Sequence, residues 1–151
     1  MKIVFSLGWL QRANSSRKSF KSNPAELLFK DYIARVAKFT PCEISGSFDH
    51  LFSRNSHVKL WLCERSQAKM LSSQEIATNL EKILQSGCKE LWIGIGGADG
   101  FKEAEISKLK PDLKWSFGPL TLPHELAAVL ASEQIYRAWT ILRHTPYHSE
   151  H

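Results

Sequence analysis

The sequence predicts an α/β fold with a mostly parallel sheet flanked by helices. Short apolar segments rich in β-branched residues alternate along the chain with segments of helical periodicity, which is typical of a parallel sheet. Residues 91–95 form an unbroken apolar run of the kind found in a strand buried on both faces. The chain has 151 residues and no internal repeat or linker, so we expect one domain over residues 1–151.

The first strand is predicted at residues 2–7, where β-branched and aromatic residues concentrate. This apolar start ends at Gln11 without a cleavage site, which favours a strand over a signal peptide. A helix is predicted with Asn23 as its cap and Pro24 at its first helical position, and it is expected to end at Pro41. Its predicted apolar face consists of Leu28, Tyr32, Val36 and Phe39.

Further strands are predicted at residues 42–45 and 58–63. A capping signal at residues 72–75 precedes a second helix, which is expected to end near Gly87. The apolar face of this helix is predicted to contain Ile76, Leu80 and Ile83. After the strand at residues 91–95, the pattern predicts a polar helix to about Leu109, a strand at 114–117, and a long helix from His124 to about Arg143.

The last helix is apolar around most of its circumference. One stripe consists of Ala128, Ala131, Ile135, Ala138 and Leu142, and other apolar residues lie beside it. Such a helix is buried on more than one side. A second subunit is the expected cover, and loops of the same chain are the alternative. Glu133 and Arg137 form an i, i+4 pair; next to a site, Arg137 would contact an anion instead.

Basic residues are concentrated in the first part of the chain. Residues 1–40 contain eight basic and two acidic side chains, although the formal charge of the whole chain is only +5. This asymmetry favours a polyanionic partner such as nucleic acid, although many domains with a pI near 9.2 bind none. Residues 12–22 are predicted to form an exposed basic loop that contains Arg12, Arg17, Lys18 and Lys21.

The cysteines and the hydropathy pattern exclude several classes of protein. Cys42, Cys63 and Cys88 are odd in number and form no Cys-x-x-Cys motif, which excludes zinc-ribbon and thioredoxin-like proteins. Free thiols are typical of a cytosolic protein, so we expect a cytoplasmic location. No apolar run approaches the roughly 18 residues of a membrane span. We expect no metal site, because Pro146 separates the closest histidine pair, His144 and His148.

A glycine-rich segment at residues 94–100 follows the most apolar predicted strand. It is not a dinucleotide fingerprint, because Asp99 stands where the third glycine is needed, and no Walker A motif is present. The position between a strand and a helix suits a backbone that approaches a ligand closely. A tight structural turn explains the glycines equally well.

Four blocks of sequence together resemble the RlmH family. They are Ile-Gly-Gly-Ala-Asp-Gly-Phe at 95–101, Trp-Ser-Phe-Gly-Pro-Leu-Thr-Leu-Pro-His at 115–124, Ala-Ser-Glu-Gln-Ile-Tyr-Arg-Ala-Trp at 131–139, and Pro-Tyr-His at 146–148. Their order and spacing match that family, and the resemblance covers residues 58–150. The family consists of SPOUT-class methyltransferases that act on a pseudouridine of large-subunit ribosomal RNA.

The resemblance implies a SPOUT-type α/β fold with a C-terminal trefoil knot that holds S-adenosylmethionine (SAM). It also implies a homodimer, large-subunit rRNA in the ribosome as the partner, and methylation of N3 of a pseudouridine in 23S rRNA. Two alternatives remain open. The chain can be an inactive SPOUT-fold protein that binds RNA or assists ribosome assembly, or a SPOUT methyltransferase with another RNA target.

The resemblance also implies site residues on three loops. The residues that match the family's cofactor contacts are Leu62, Gly96, Gly97, Phe117, Gly118, Pro119, Leu120, Thr121 and Leu122. A valine at Gly96 is expected to occupy the space of the cofactor. Arg137, His148 and Tyr147 are the candidates for assisting methyl transfer, as anion stabiliser, base and hydrogen-bond donor respectively.

The sequence departs from the family at both ends. Ser149 stands where the family tail commonly has an arginine after Tyr-His. The first third of the chain resembles the family poorly. Its segment 8–22 is longer and contains more serine than the resemblance implies. The predicted basic loop is therefore the candidate source of contacts with RNA phosphates.

Overall fold

A computed structural model describes residues 1–12, 20–65 and 67–149, with the side chains of Gln11 and Arg12 left out. Arg17, Lys18 and the side chain of Arg12, which belong to the predicted basic loop, lie outside this description. The sheet has six strands in the order β2-β1-β5-β3-β6-β4, and all neighbours pair in parallel. The strands are β1 (Lys2–Leu7), β2 (Cys42–Ser45), β3 (Val58–Cys63), β4 (Lys69–Met70), β5 (Glu90–Ile95) and β6 (Leu113–Ser116). The predicted α/β class with a mostly parallel sheet is confirmed.

In the described ranges, four α-helices flank the sheet and two short 3-10 helices connect its elements. The α-helices are α1 (Asn23–Val36), α2 (Ser73–Gln85), α3 (Glu103–Leu109) and α4 (His124–Leu142), and the 3-10 helices are Gly8–Arg12 and Asp49–Ser53. The capping signal before α2 is confirmed, because the Ser72 hydroxyl accepts from Glu75 N and the Glu75 carboxylate accepts from Ser72 N. The pattern missed β4, since two residues are too few to show a strand period.

The start and the end of α1 differ from the prediction. Ser22 is the N-cap rather than Asn23, and its hydroxyl accepts a hydrogen bond from Ala25 N at 3.4 Å. Asn23 is the first helical residue, because serine one position earlier offers the same capping chemistry. The helix ends at Val36, so Phe39 lies beyond it and stacks on Trp139 of α4.

The buried face of α1 also differs from the prediction. Leu28 is 45% exposed, whereas Phe29 and Val36 are fully buried. Phe29 faces the sheet, where its ring centroid lies 5.8 Å from that of Phe5 and 5.4 Å from that of Phe20. A helix face that contains Phe29 and Val36 has the same periodicity as a face that begins at Leu28. Only the tertiary contacts decide which of the two faces is buried.

Two apolar cores lie on opposite faces of the sheet. The larger core lies under α1, α2 and α4, and the smaller lies under α3 and the 3-10 helix Asp49–Ser53. In the larger core α4 packs against both α1 and α2, so the chain's own helices cover the apolar sides of α4. The prediction of a second subunit or of loops as the cover missed these two helices, and the burial of α4 within one chain gives no argument for a dimer. No helix within the described ranges is long and apolar enough to cross a bilayer.

Candidate active site

Three loops meet at the carboxyl ends of β3, β5 and β6. They enclose a cavity of about 390 Å³, which we call the loop cavity, lined by residues 63–65, 95–100, 115–118, 120–122, 124 and 127. This volume falls within the range of roughly 300–1,000 Å³ that is common for small-molecule sites. In open parallel sheets, ligands bind outside the carboxyl ends of the strands. The loop cavity is therefore the candidate ligand site.

The glycine-rich loop after β5 folds back on itself. Gly100 N donates to Gly97 O at 2.9 Å, and the two residues form an antiparallel bridge. A Cβ atom on Gly96 would lie 2.9 Å from the backbone of Gly100. The loop's own backbone thus requires glycine at position 96, and the expectation that a side chain there would enter the ligand's space is wrong. A Cβ atom on Gly97 would have only an ordinary contact, 3.8 Å from Trp9.

The loop after β6 turns at Gly118, whose φ of +103° is a conformation that other residues rarely adopt. The Ser116 hydroxyl fixes this turn, because Gly118 N donates to it at 3.1 Å. Further along, the Thr121 hydroxyl accepts a hydrogen bond from Arg65 Nη1. Arg65 therefore connects the loop after β3 with the loop after β6.

Seven of the nine residues predicted to contact a cofactor line the loop cavity; they are Gly96, Gly97, Phe117, Gly118, Leu120, Thr121 and Leu122. Leu62 does not line it. Its side chain is fully buried in the smaller core, where a Cβ atom on Gly94 would lie 2.6 Å from Leu62 Cδ2. Pro119 stands between two lining residues without lining the cavity itself.

Other residues that the sequence analysis did not propose also line the loop cavity, among them Cys63, Glu64 and Arg65. Burial raises the pKa of the Cys63 thiol, and the neighbouring Glu64 carboxylate raises it further, so the thiol is protonated at neutral pH. Their position in the sequence could have indicated them, because they lie at the end of β3, and β3 pairs with β5, the strand that precedes the glycine-rich loop.

The three residues proposed to assist chemistry lie together around Glu133. Glu133 Oε1 accepts from Arg137 Nε at 3.0 Å, from Arg137 Nη2 at 2.6 Å and from the Tyr147 hydroxyl at 3.0 Å. Arg137 Nη1 lies 3.2 Å from His148 Nδ1, and Gln74 Nε2 lies 3.4 Å from His148 Nε2. We call Glu133, Arg137, Tyr147 and His148 the tail cluster.

Burial and the neighbouring Glu133 both influence ionisation in the tail cluster. Burial lowers the pKa of Arg137, but the hydrogen bond and the charge of Glu133 outweigh it and raise the pKa overall. Burial raises the pKa of Tyr147, and hydrogen bonds with Tyr32 and Glu133 raise it further. Arg137 is therefore a permanent cation and Tyr147 a neutral hydrogen-bond donor. No member of the tail cluster lines the loop cavity of the same chain.

Comparison with known proteins identifies the class. A family model described as "Predicted SPOUT methyltransferase" matches residues 17–148. A solved structure of a small-subunit rRNA methyltransferase E from Neisseria gonorrhoeae, bound to S-adenosylmethionine, aligns with a TM-score of 0.45 at 12% identity, over 93% of this chain and 65% of that one. The family match covers most of the chain, which is thus a SPOUT methyltransferase by family.

Curated relatives narrow the family further. Ribosomal RNA large subunit methyltransferase H of Coprothermobacter proteolyticus is 31% identical over 79% of this chain and 85% of the relative. The protein of the same name from Psychrobacter sp. (strain PRwf-1) is 43% identical over 62% of this chain and 56% of the relative. The chain belongs to the RlmH family. This chain spans only part of several relatives. It covers 53–59% of the length of the relatives from Psychrobacter sp., Maricaulis maris and Hahella chejuensis.

Proposed function

We propose that this protein is a SAM-dependent methyltransferase that methylates N3 of a pseudouridine in 23S rRNA. In this proposal it is a cytoplasmic homodimer, and each chain is one domain over residues 1–151 with its C-terminal part in a trefoil knot. Membership of the RlmH family supports the reaction and the substrate. The observation that carries the proposal is the loop cavity, which seven residues of the family's cofactor loops line.

The residues around the loop cavity fit SAM. Phe117, Leu120 and Leu122 offer apolar surface for an adenine ring, and the backbone of Gly96 and Gly97 offers hydrogen-bonding groups at close approach. Among the described residues, no cluster of three or more histidine, cysteine or acidic side chains could hold a metal ion. When bound, SAM supplies a methyl group already activated by a sulfonium.

Because the donor is activated, the protein's main task is to align the donor with the acceptor nitrogen. That nitrogen must lose a proton, which His148 can accept, while Arg137 can stabilise the anion that forms. The neutral Tyr147 can donate a hydrogen bond but cannot serve as a base near neutral pH. Since the tail cluster does not line the cavity of its own chain, the proposed homodimer is the arrangement that would bring one chain's tail to the other's cavity.

The test is methylation of ribosomes from a strain that lacks its own enzyme for this position. We expect the protein to bind SAM in calorimetry and to transfer labelled methyl to one pseudouridine, identified by mass spectrometry of the digested rRNA. Failure to bind SAM would reject the proposal. Methylation at another nucleotide would indicate a SPOUT enzyme with a different target.

An inactive RNA-binding protein is the second candidate. It is favoured by Ser149, which replaces the cation that follows Tyr-His in the family tail. Tight binding to ribosomes without methyl transfer would support this candidate. Sedimentation or light scattering at the assay concentration tests the homodimer separately.

A further inference from the structure

Glu64 is held at the edge of the loop cavity by backbone contacts. Its N–H donates to Trp115 O at 2.9 Å, which extends the β3–β6 pairing by one residue beyond Cys63. Its Oε1 accepts from Arg65 N at 3.1 Å. The position of the carboxylate is therefore set by the sheet and by its own turn, and not by another side chain.

The second carboxylate oxygen, Glu64 Oε2, is buried and has no hydrogen-bond partner within the described part of the chain. Leaving a buried carboxylate oxygen without a donor destabilises a protein, so such atoms are rare without a reason. Glu64 lines the loop cavity, and it also lines a smaller cavity of about 330 Å³ together with Glu103 and Lys114. Glu64 therefore borders both cavities.

We propose that Glu64 is a specificity-determining residue for the cofactor, and that Oε2 accepts a hydrogen bond from a donor group of bound SAM. This inference rests on the proposed function. SAM carries three kinds of group with this chemistry: the hydroxyls of its ribose, the exocyclic amine of its adenine and its α-ammonium. The other cavity-lining ion from the same loop, Arg65, already donates to Thr121, which leaves Glu64 to interact with a donor group.

The first test is the affinity of the Glu64→Gln variant for SAM, measured by calorimetry. Glutamine keeps the shape of the side chain and removes its charge. We expect Kd to rise about tenfold, the size of effect typical of a hydrogen bond to a charged group. The control is Glu103→Gln, which removes the same charge from the smaller cavity only and should leave Kd within about twofold. An unchanged Kd in Glu64→Gln would overturn the inference.

The second test separates the nucleoside part of SAM from its α-ammonium by using methylthioadenosine, which has the adenine amine and the ribose hydroxyls but no ammonium. If a nucleoside group binds Glu64, the substitution weakens both SAM and methylthioadenosine. If the ammonium binds Glu64, only SAM is weakened. Either pattern supports the inference and identifies the part of SAM that Glu64 contacts. The inference would be contradicted if the variant bound each of the two ligands as tightly as the wild type does.

The third test is the stability of the protein without ligand. An unpaired buried oxygen predicts that Glu64→Gln melts at the same temperature as the wild type or higher, because the substitution removes the charge of a carboxylate whose second oxygen has no hydrogen-bond donor. A lower melting temperature would mean that Glu64 stabilises the fold, most simply by pairing with Lys114, and would overturn the inference. If the wild-type protein itself fails to bind SAM, the proposed function fails, which is a different result from a variant that binds as well as the wild type.

Discussion

The loop cavity is lined by residues from three loops, whereas the tail cluster consists of side chains that bond one another. The cavity leaves one buried polar atom, Glu64 Oε2, without a partner. In the tail cluster a single oxygen of Glu133 accepts three hydrogen bonds. The cavity is thus ready for a ligand that brings donor groups, and the cluster already holds its own groups in place.

This difference separates binding from chemistry. Changes in the loop cavity should alter the affinity for the methyl donor, because the residues that line the cavity are the ones a bound ligand would contact. Changes in the tail cluster should alter methyl transfer and stability, because its members interact mainly with each other. The predictions below test that separation, beginning with the largest expected effect.

Arg137→Ala should lower the methylation rate by a factor of about 100 or more, the usual cost of losing one group that stabilises developing charge. The affinity for SAM should stay within about twofold, because Arg137 does not line the loop cavity. Single-turnover methylation and calorimetry measure the two quantities. Arg143→Ala is the control, since Arg143 is an exposed cation at the end of the same helix. Equal losses of rate and affinity would contradict the separation.

Gly96→Val should raise the Kd for SAM about 100-fold, which corresponds to the upper part of the 1–3 kcal/mol cost of overpacking. The cause is the 2.9 Å approach of a Cβ atom to the backbone of Gly100, which would force the loop to open. Calorimetry measures the change, and circular dichroism should show an intact fold.

Gly97→Ala is the matched control for that experiment. A Cβ atom at this position would come no closer than 3.8 Å to its neighbours, so the loop can keep its shape. We expect SAM affinity within about threefold of the wild type, a difference below 1 kcal/mol. If both variants bind SAM equally well, the glycine loop does not form the site.

Local signals in the sequence predicted much of the fold. The capping box before α2 and the apolar run of β5 depend on neighbouring residues only, and both were predicted. The buried face of α1 was missed, because the choice of Phe29 over Leu28 depends on aromatic rings from distant parts of the chain. The cover of α4 was missed for the same reason, since periodicity does not tell which helices share a face of the sheet.

The site shows the same division. The meeting of the glycine loop with residues 117–122 follows from the parallel sheet, whose strand ends lie at one edge. Side chains alternate along β3, so Leu62 faces the smaller core while Cys63 contacts the larger one. A resemblance between sequences does not show whether Leu62 or Cys63 points towards the loop cavity. The i, i+4 spacing predicted the pairing of Glu133 with Arg137, but not the third partner, Tyr147.

Glu133→Gln should lower the free energy of unfolding by about 2 kcal/mol, because Arg137 would remain largely buried with a neutral acceptor. Methylation should fall together with stability, since Arg137 and Tyr147 lose the carboxylate that positions them. Urea denaturation measures the first effect. Glu81→Gln, on α2, is a control for the loss of one exposed acidic residue. Unchanged stability in Glu133→Gln would show that the carboxylate does not hold the cluster.

Tyr147→Phe should have the smallest effect, a loss of about 1 kcal/mol in the free energy of unfolding. Glu133 keeps both hydrogen bonds from Arg137, so the substitution leaves no buried acceptor without a donor. The difference between wild type and variant should also depend on pH. Because the pKa of Tyr147 is raised in the folded protein, the unfolded chain loses this proton first, and the stability contributed by Tyr147 declines above pH of about 10.

The wild type and Tyr147→Phe should therefore converge in stability between about pH 9 and pH 11, as urea denaturation at several pH values can measure. Because phenylalanine does not titrate, the curve of the variant isolates the contribution of the hydroxyl from that of all other groups. A difference that stays constant over this range would mean that Tyr147 has an ordinary pKa in the folded protein. In that case Glu133 would position Arg137 but not Tyr147, and the tail cluster would reduce to an ion pair between Glu133 and Arg137.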